Sequence, residues 1–161
     1  MKDMIIIDTN LIISALIKRS YILFKILDLH LKGVEILTPD YTLEEIKEHK
    51  DEILKASKLS EKDFDFIIDV LFRVIKVVKR DVYKDAGKLA KEIAKEFDID
   101  DFPFIALSLK LSIPIWTNDR KMIEYGLKTG KYLALDSESL EDLLRGVCID
   151  EVKQRLIKKY L

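Results

Sequence analysis

"MIIIDTNLIISAL", residues 4–16, decides how the rest of this chain is read. Met4–Ile7 is too short and too β-branched for a buried helix, so it predicts a strand. The strand ends at Asp8. After Thr9 and Asn10 the apolar residues take up helical spacing, and "LIISALIKR" and "YILFKILDLHLK" predict two helices separated near Ser20. A strand that runs through an acid into a helix opens an α/β arrangement.

The same rhythm continues outward. Gly33 stops the second helix. "VEIL" (34–37) predicts a strand closed by Thr38-Pro39. "TLEEIKEHKDEILKAS" starts with Thr42 and has Glu45 three residues later, the spacing of a capping box; Ser60 and Asp63 repeat it before a helix to about Arg73. "VIKVVK" (74–79) predicts a strand. "YKDAGKLAKEIAKEF" predicts an amphipathic helix with Leu89, Ile93 and Phe97 on one face. A helix at about 102–111, the strand "IPIW" (113–116), a short helix after "TND", and the strand "YLAL" (132–135) ending at Asp136 follow. Helices at about 138–145 and 150–160 close the chain. Strands separated by helices imply βαβ crossovers and a mostly parallel sheet covered on both faces.

Composition bounds the reading. A chain of 161 residues, 48% hydrophobic and 35% charged, suits one domain, residues 1–161, with one substantial core. Its apolar runs fall far below the roughly 20 residues of a spanning helix, and no export signal is expected before Met1–Asp8. Cys148 is the only cysteine, which excludes an internal disulfide and a cysteine-rich zinc site, and a reducing cytoplasm is expected. Twenty-eight basic residues against 29 acidic ones argue against an electrostatic grip by the whole surface on nucleic acid. The wealth of Lys, Glu and Ile, with Asn10, Asn118 and Gln154 as the only amides, has a thermophilic cast.

In open parallel sheets, ligands bind at the carboxyl ends of the strands. Asp8 ends the first strand and Asp119 closely follows the fourth. Asp101, with Asp100 beside it, starts the helix before that strand, and Glu45 sits in the first turn of the helix after the second. Each has a bland alternative. Asp8 could start the Thr9–Leu11 turn, Glu45 could be the capping partner of Thr42, and Asp100, Asp101 or Asp119 could cap a helix. Taken together they form a constellation. Four crowded carboxylates repel unless a cation joins them, and oxygen-only donors favour Mg²⁺ or Mn²⁺ over zinc. Such an ion polarises phosphoryl groups and activates water. Thr9, Asn10, Thr117 and Asn118 are short polar neighbours suited to orienting ligands or water.

These segments resemble the PIN-domain family, the nuclease-like group that includes VapC-type toxins. The likeness spans nearly the whole chain and rests on "IIIDTNLIISAL", "YTLEEIKEH", "DDFPFIALSL" and "IPIWTNDRKMI". It implies a three-layer α/β/α fold with a central, mostly parallel sheet of four to five strands. It also implies RNA cleavage with Mg²⁺ or Mn²⁺ bound by Asp8, Glu45, Asp101 and Asp119, supported by Asn10, Thr117, Asn118 and Asp100. An antitoxin partner and an archaeal or thermophile-type stand-alone member belong to the same resemblance. Many relatives place a single acid three residues before an Ile-Ala pair; here Asp101 lies four before Ile105, with Pro103 between. Pro103 at the first helical position would make Phe102 the cap and leave Asp101 turned to the pocket.

Other motifs are wanting. No glycine-rich phosphate loop is present, and no serine–histidine–acid arrangement can be assembled. His49, four residues after Glu45, and His30 are read as surface or helix-support residues, and Trp116 as core. Aliphatic faces around Ile12–Ile26 and Leu140–Ile157 suggest a homodimer surface. The expected activity is a metal-dependent endoribonuclease. A catalytically weak RNA-binding or assembly module of the same fold is the first alternative. A receiver-like phosphoacceptor domain ranks below it, because Asp8 lacks the neighbouring acid such a domain needs.

Overall fold

The computed structural model describes residues 3–18 and 21–161, so the helix break expected near Ser20 lies outside the described residues. The protein is an α/β/α structure whose central sheet has five parallel strands. Two compact units make up the chain, Met1–Val82 and Tyr83–Leu161.

The first unit opens with β1 (Met4–Ile7), followed by α1 (Thr9–Lys18), α2 (Tyr21–Leu31) and β2 (Glu35–Pro39). Then come α3 (Tyr41–Glu48), α4 (Lys50–Ser57), α5 (Glu61–Val74) and β3 (Ile75–Val78), with α6 (Arg80–Tyr83) at its end. β2 pairs in parallel with both other strands, Ile5 opposite Ile36 and Leu37 opposite Lys76. Ile6 and Ile7 are wholly buried, as a strand covered on both faces requires. Ile12, Leu16, Ile26 and Leu29 bring the inner stripes of α1 and α2 into the same core. Ile12 and Ile26 are therefore core residues, and the apolar surface of this region is carried by Tyr21, Phe24 and Leu31.

Two local expectations change here. The single helix read from Thr42 to Ser57 is two helices that meet at His49. The capping box at Thr42 and Glu45 does not form: the helix begins at Tyr41, and Thr42 lies buried inside its first turn. At α5 the other signature holds, with Ser60 Oγ accepting from the Asp63 amide at 3.1 Å.

In the second unit, a 3₁₀ turn at Lys84–Ala86 leads into α7 (Gly87–Ala94), and another at Ile99–Asp101 leads into α8 (Phe102–Leu111). β4 (Ile115–Trp116), α9 (Arg120–Thr129), β5 (Ala134–Leu135), α10 (Ser137–Leu144) and α11 (Ile149–Tyr160) complete it. β4 and β5 pair in parallel, Trp116 opposite Leu135. Trp116 is wholly buried and donates Nε1–H to Ser137 Oγ at 2.9 Å, so it is core, as read from the sequence. The long helix expected from Tyr83 to Phe97 is shorter, because α7 ends at Ala94. Leu89 is exposed and Phe97 lies past the helix, so the face predicted for Leu89, Ile93 and Phe97 keeps only Ile93 in the core.

Gly126 permits a close approach inside this unit. A Cβ there would stand 2.9 Å from Tyr132 Cε2 and 3.0 Å from the Tyr132 carbonyl oxygen. Among the described residues no helix is long and apolar enough to cross a membrane.

Candidate functional site

The first unit gathers Asp8, Thr9, Asn10 and Glu45 at the carboxyl end of β1. Asp8 is buried, and its Oδ1 accepts from the Asn10 amide at 3.4 Å, which fixes the carboxylate over the start of α1. Asn10 itself is exposed. α3 points Glu45 back at this junction, with Oε1 2.7 Å from Thr9 Oγ1.

Behind Glu45 runs a buried chain of hydroxyls that sequence reading did not foresee. Thr9 Oγ1 meets Thr42 Oγ1 at 3.0 Å, Thr42 meets Thr38 Oγ1 at 2.7 Å, and Thr38 donates to the Ile7 carbonyl at 3.1 Å. Thr9 Oγ1 also donates to Glu45 Oε1, so the row of hydroxyls runs from the Glu45 carboxyl at one end to the Ile7 carbonyl at the other.

The pKa of Glu45 is raised, first by burial and also by the negative charge of Asp8, while the Thr9 hydrogen bond and His49 pull it down. His49 stands at the junction of α3 and α4, exposed, with Nδ1 3.4 Å from Glu52. It is a support residue, as expected.

The second unit places Asp101, Asp119 and Thr117. Thr117 directly follows β4, wholly buried, and its Oγ1 accepts from the Asp119 amide at 3.0 Å. Asp119 is the N-cap of α9: Oδ1 accepts from the amides of Lys121 at 3.0 Å and Met122 at 3.3 Å. The capping reading is therefore correct for Asp119, and it leaves Oδ2 outside the cap. Asn118 is exposed between them.

α8 begins at Phe102, one residue earlier than Pro103 alone suggested, so Asp101 rather than Phe102 takes the N-cap position. Its side chain makes no capping hydrogen bond. Asp100 is exposed, and its amide donates to Asp98 Oδ1 at 3.0 Å. The cap of this turn is thus Asp98.

Tyr132 reports on both acids. It is buried, donates its hydroxyl to the Met122 carbonyl at 2.6 Å, and has its pKa pushed up by burial, then by the charges of Asp119 and Asp101. Those two carboxylates therefore share one neighbourhood. Sequence reading missed Tyr132; its only signal is a tyrosine entering a buried strand.

Asp136 was noted only as the end of a strand. It is buried, accepts from the Ser139 amide at 2.9 Å, and takes Lys159 Nζ and the Tyr160 hydroxyl at 2.8 Å each. It ties α10 and α11 to the end of β5 and takes no part in the candidate chemistry.

All donors in both groups are oxygens, which suits a hard divalent cation. Burial is the main cause of the rise in Glu45, and the part due to the Asp8 charge is what a cation would relieve. Among the described residues no three His, Cys, Asp or Glu side chains are grouped closely enough to hold a metal ion by themselves.

Comparison with known proteins places the chain. Its sequence matches the PIN domain family over residues 6–156. No curated protein matches. Among solved structures it is similar to a chain of VapBC2 from Rickettsia felis, solved bound to a DNA fragment from their promoter. The TM-score is 0.57 at 12% identity, covering 83% of this chain and 98% of that one.

Proposed function

Because the chain belongs to the PIN domain family, we propose that it is a metal-dependent endoribonuclease that hydrolyses RNA phosphodiester bonds. The proposed ligands of Mg²⁺ or Mn²⁺ are Asp8, Glu45, Asp101 and Asp119. The observation that carries this reading is the half-buried Glu45 carboxyl beside the buried Asp8, its pKa raised first by burial and then by the Asp8 charge, a crowding that a cation would relieve. When bound, the cation supplies Lewis-acid polarisation of the phosphate and a lower pKa for water.

The chain's own residues do the rest. Asp8 is held over α1 by the Asn10 amide, and Asp119 is aligned by its cap, so neither has to be ordered when the ligand arrives. Thr9 donates to Glu45 and orients its carboxyl, whose raised pKa would fall as positive charge approaches. Asn10 and Asn118 are exposed and placed to orient substrate or water. In-line attack by water would leave a 5′-phosphate. A cytoplasmic location, a homodimer built on the exposed Tyr21, Phe24 and Leu31, and an antitoxin-like protein partner complete the proposal.

The test is cleavage of single-stranded RNA with Mn²⁺, Mg²⁺ or a chelator. Asp8→Asn and Asp119→Asn should abolish turnover while circular dichroism stays unchanged. Cleavage that survives both substitutions, or full activity in chelator, removes the reading. One observation favours a catalytically weak RNA-binding or assembly module: no three acids are grouped among the described residues. RNA binding without cleavage under any metal would select that alternative.

A further inference from the structure

Three aromatic rings and a row of lysines in the second unit have no role so far. Phe97, just past α7, stacks on Tyr125 of α9 with centroids 5.4 Å apart and planes 29° from parallel. Lys128 lies over the Tyr125 ring at 5.4 Å, and Lys91 over the Phe102 ring at 4.8 Å. All three rings are partly exposed.

The lysines are set out differently from other cations of this chain. Lys32 pairs with Asp28, Lys50 with Glu61, Lys110 with Asp85 and Arg155 with Asp142. Lys88, Lys91, Lys95 and Lys128 are in no ion pair among the described residues. Lys88, Lys91 and Lys95 are spaced i, i+3, i+7 and so project from one face of α7 and its end.

The position of this group relative to the acids gives it meaning. Phe102 directly follows Asp101. Tyr125 lies six residues after Asp119 on α9, about 9 Å along the helix axis. Rings and acids thus share the segments on which Asp101 and Asp119 act on Tyr132. Exposed aromatic faces flanked by unpaired ammonium groups match the two needs of an unpaired nucleic-acid strand, stacking for bases and charge for phosphates. A duplex hides its base faces and would use only the charge.

We propose that Phe97 and Tyr125 form a base-stacking platform, with Lys88, Lys91, Lys95 and Lys128 as phosphate contacts, for single-stranded RNA leading to Asp101 and Asp119. Lys128 over the Tyr125 ring marks the face a base takes, and its flexible stem lets the ammonium move aside to a phosphate. Glu92 on α7 and Glu96 just past it border the row with negative charge and repel phosphates there.

This inference rests on the RNA reading, so its test avoids cleavage. A fluorescein-labelled oligouridylate of about 10 nucleotides is titrated with the protein in chelator, and binding is read by anisotropy across a salt series. Tyr125→Leu keeps bulk and removes the π face; it should weaken binding about tenfold without changing the salt dependence. Replacing Lys88, Lys91 and Lys95 by Ala should lower the slope of log K against log salt by about 2. Melting curves confirm that each variant is folded. Unchanged affinity in Tyr125→Leu overturns the platform, as does equal affinity for the corresponding duplex, which would show a charge-only surface. RNA cleavage by a parent protein that fails to bind the oligouridylate through these residues overturns the platform and leaves the nuclease reading standing. Binding through them with no cleavage under any metal does the reverse.

Discussion

Thr9 Oγ1 lies 2.7 Å from Glu45 Oε1 and 3.0 Å from Thr42 Oγ1, so one hydroxyl joins the carboxyl to a buried threonine chain. That relationship ties the charge state of Glu45 to the packing under β1 and β2. With burial and Asp8 raising the pKa, the folded protein binds a proton at Glu45 more tightly than the unfolded chain does. Stability from this group is therefore complete below the ordinary value of 4.5 and is lost as pH rises through the raised folded value. Glu45→Gln, which stays neutral, should remove that slope and unfold at higher urea than the parent at neutral pH. A parent urea midpoint that climbs across this range, with Glu45→Gln no more stable, would contradict the raised pKa.

Thr9→Val tests the same bond from its other end. The Thr9 hydroxyl lowers the pKa of Glu45, so its removal should raise that pKa further, read by carboxyl NMR titration. Thr42→Val takes one partner from Thr9 and one from Thr38, which keep their bonds to Glu45 and the Ile7 carbonyl, and should cost about 0.5–1.5 kcal/mol in urea denaturation.

Asp136 predicts the opposite pH behaviour. Burial opposes its ionisation, but Lys159, Ser139 and Tyr160 outweigh that and hold the pKa at about 2. A depressed carboxylate stabilises the fold above its ordinary 3.8, and that stability is lost as pH falls toward about 2. The amount is about 2 kcal/mol. Asp136→Asn should lose it at pH 7 and show a flatter acid limb, measured by thermal melting from pH 2 to neutral.

Gly126→Ala sets two effects against each other. Alanine gains about 1 kcal/mol of helix propensity. Its Cβ, however, would meet the Tyr132 carbonyl at 3.0 Å, and a backbone atom cannot swing away. Overpacking costs about 1–3 kcal/mol, so a net loss of stability is expected in urea.

Metal binding should register in stability as well as activity. A cation bound only by the folded protein stabilises it by about 2.7 kcal/mol at 100 times its Kd. Mn²⁺ should raise the melting temperature of the parent protein and leave that of Asp8→Asn unchanged. In chelator, Asp8→Asn should lower the Glu45 pKa, since one of the charges that raises it is gone.

The order of strands and helices was legible because the signals are local. Met4–Ile7 is β-branched and bounded by an acid, Ser60 caps α5, and Gly130, at a positive φ of 66°, ends α9. The acids were legible for the same reason: Asp8 and Asp119 follow apolar strands, and parallel sheets present their carboxyl ends to ligands. Pro103 marked the start of α8 to within one residue, since its ring is compatible only with a first turn.

What the sequence by itself determined is the α/β rhythm, the family and the acids that end its strands. Tertiary structure alone decided what those side chains do. The spacing of Thr42 and Glu45 satisfies a capping box, yet Thr42 turns inward to Thr38 and Thr9, because a buried hydroxyl must find partners and the neighbouring strand end provides them. The same holds for Phe97, which has helical spacing with Ile93 but leaves the helix to stack on Tyr125. Periodicity shows which face a residue shares; partners far along the chain, brought near only by folding, set its charge and its contacts.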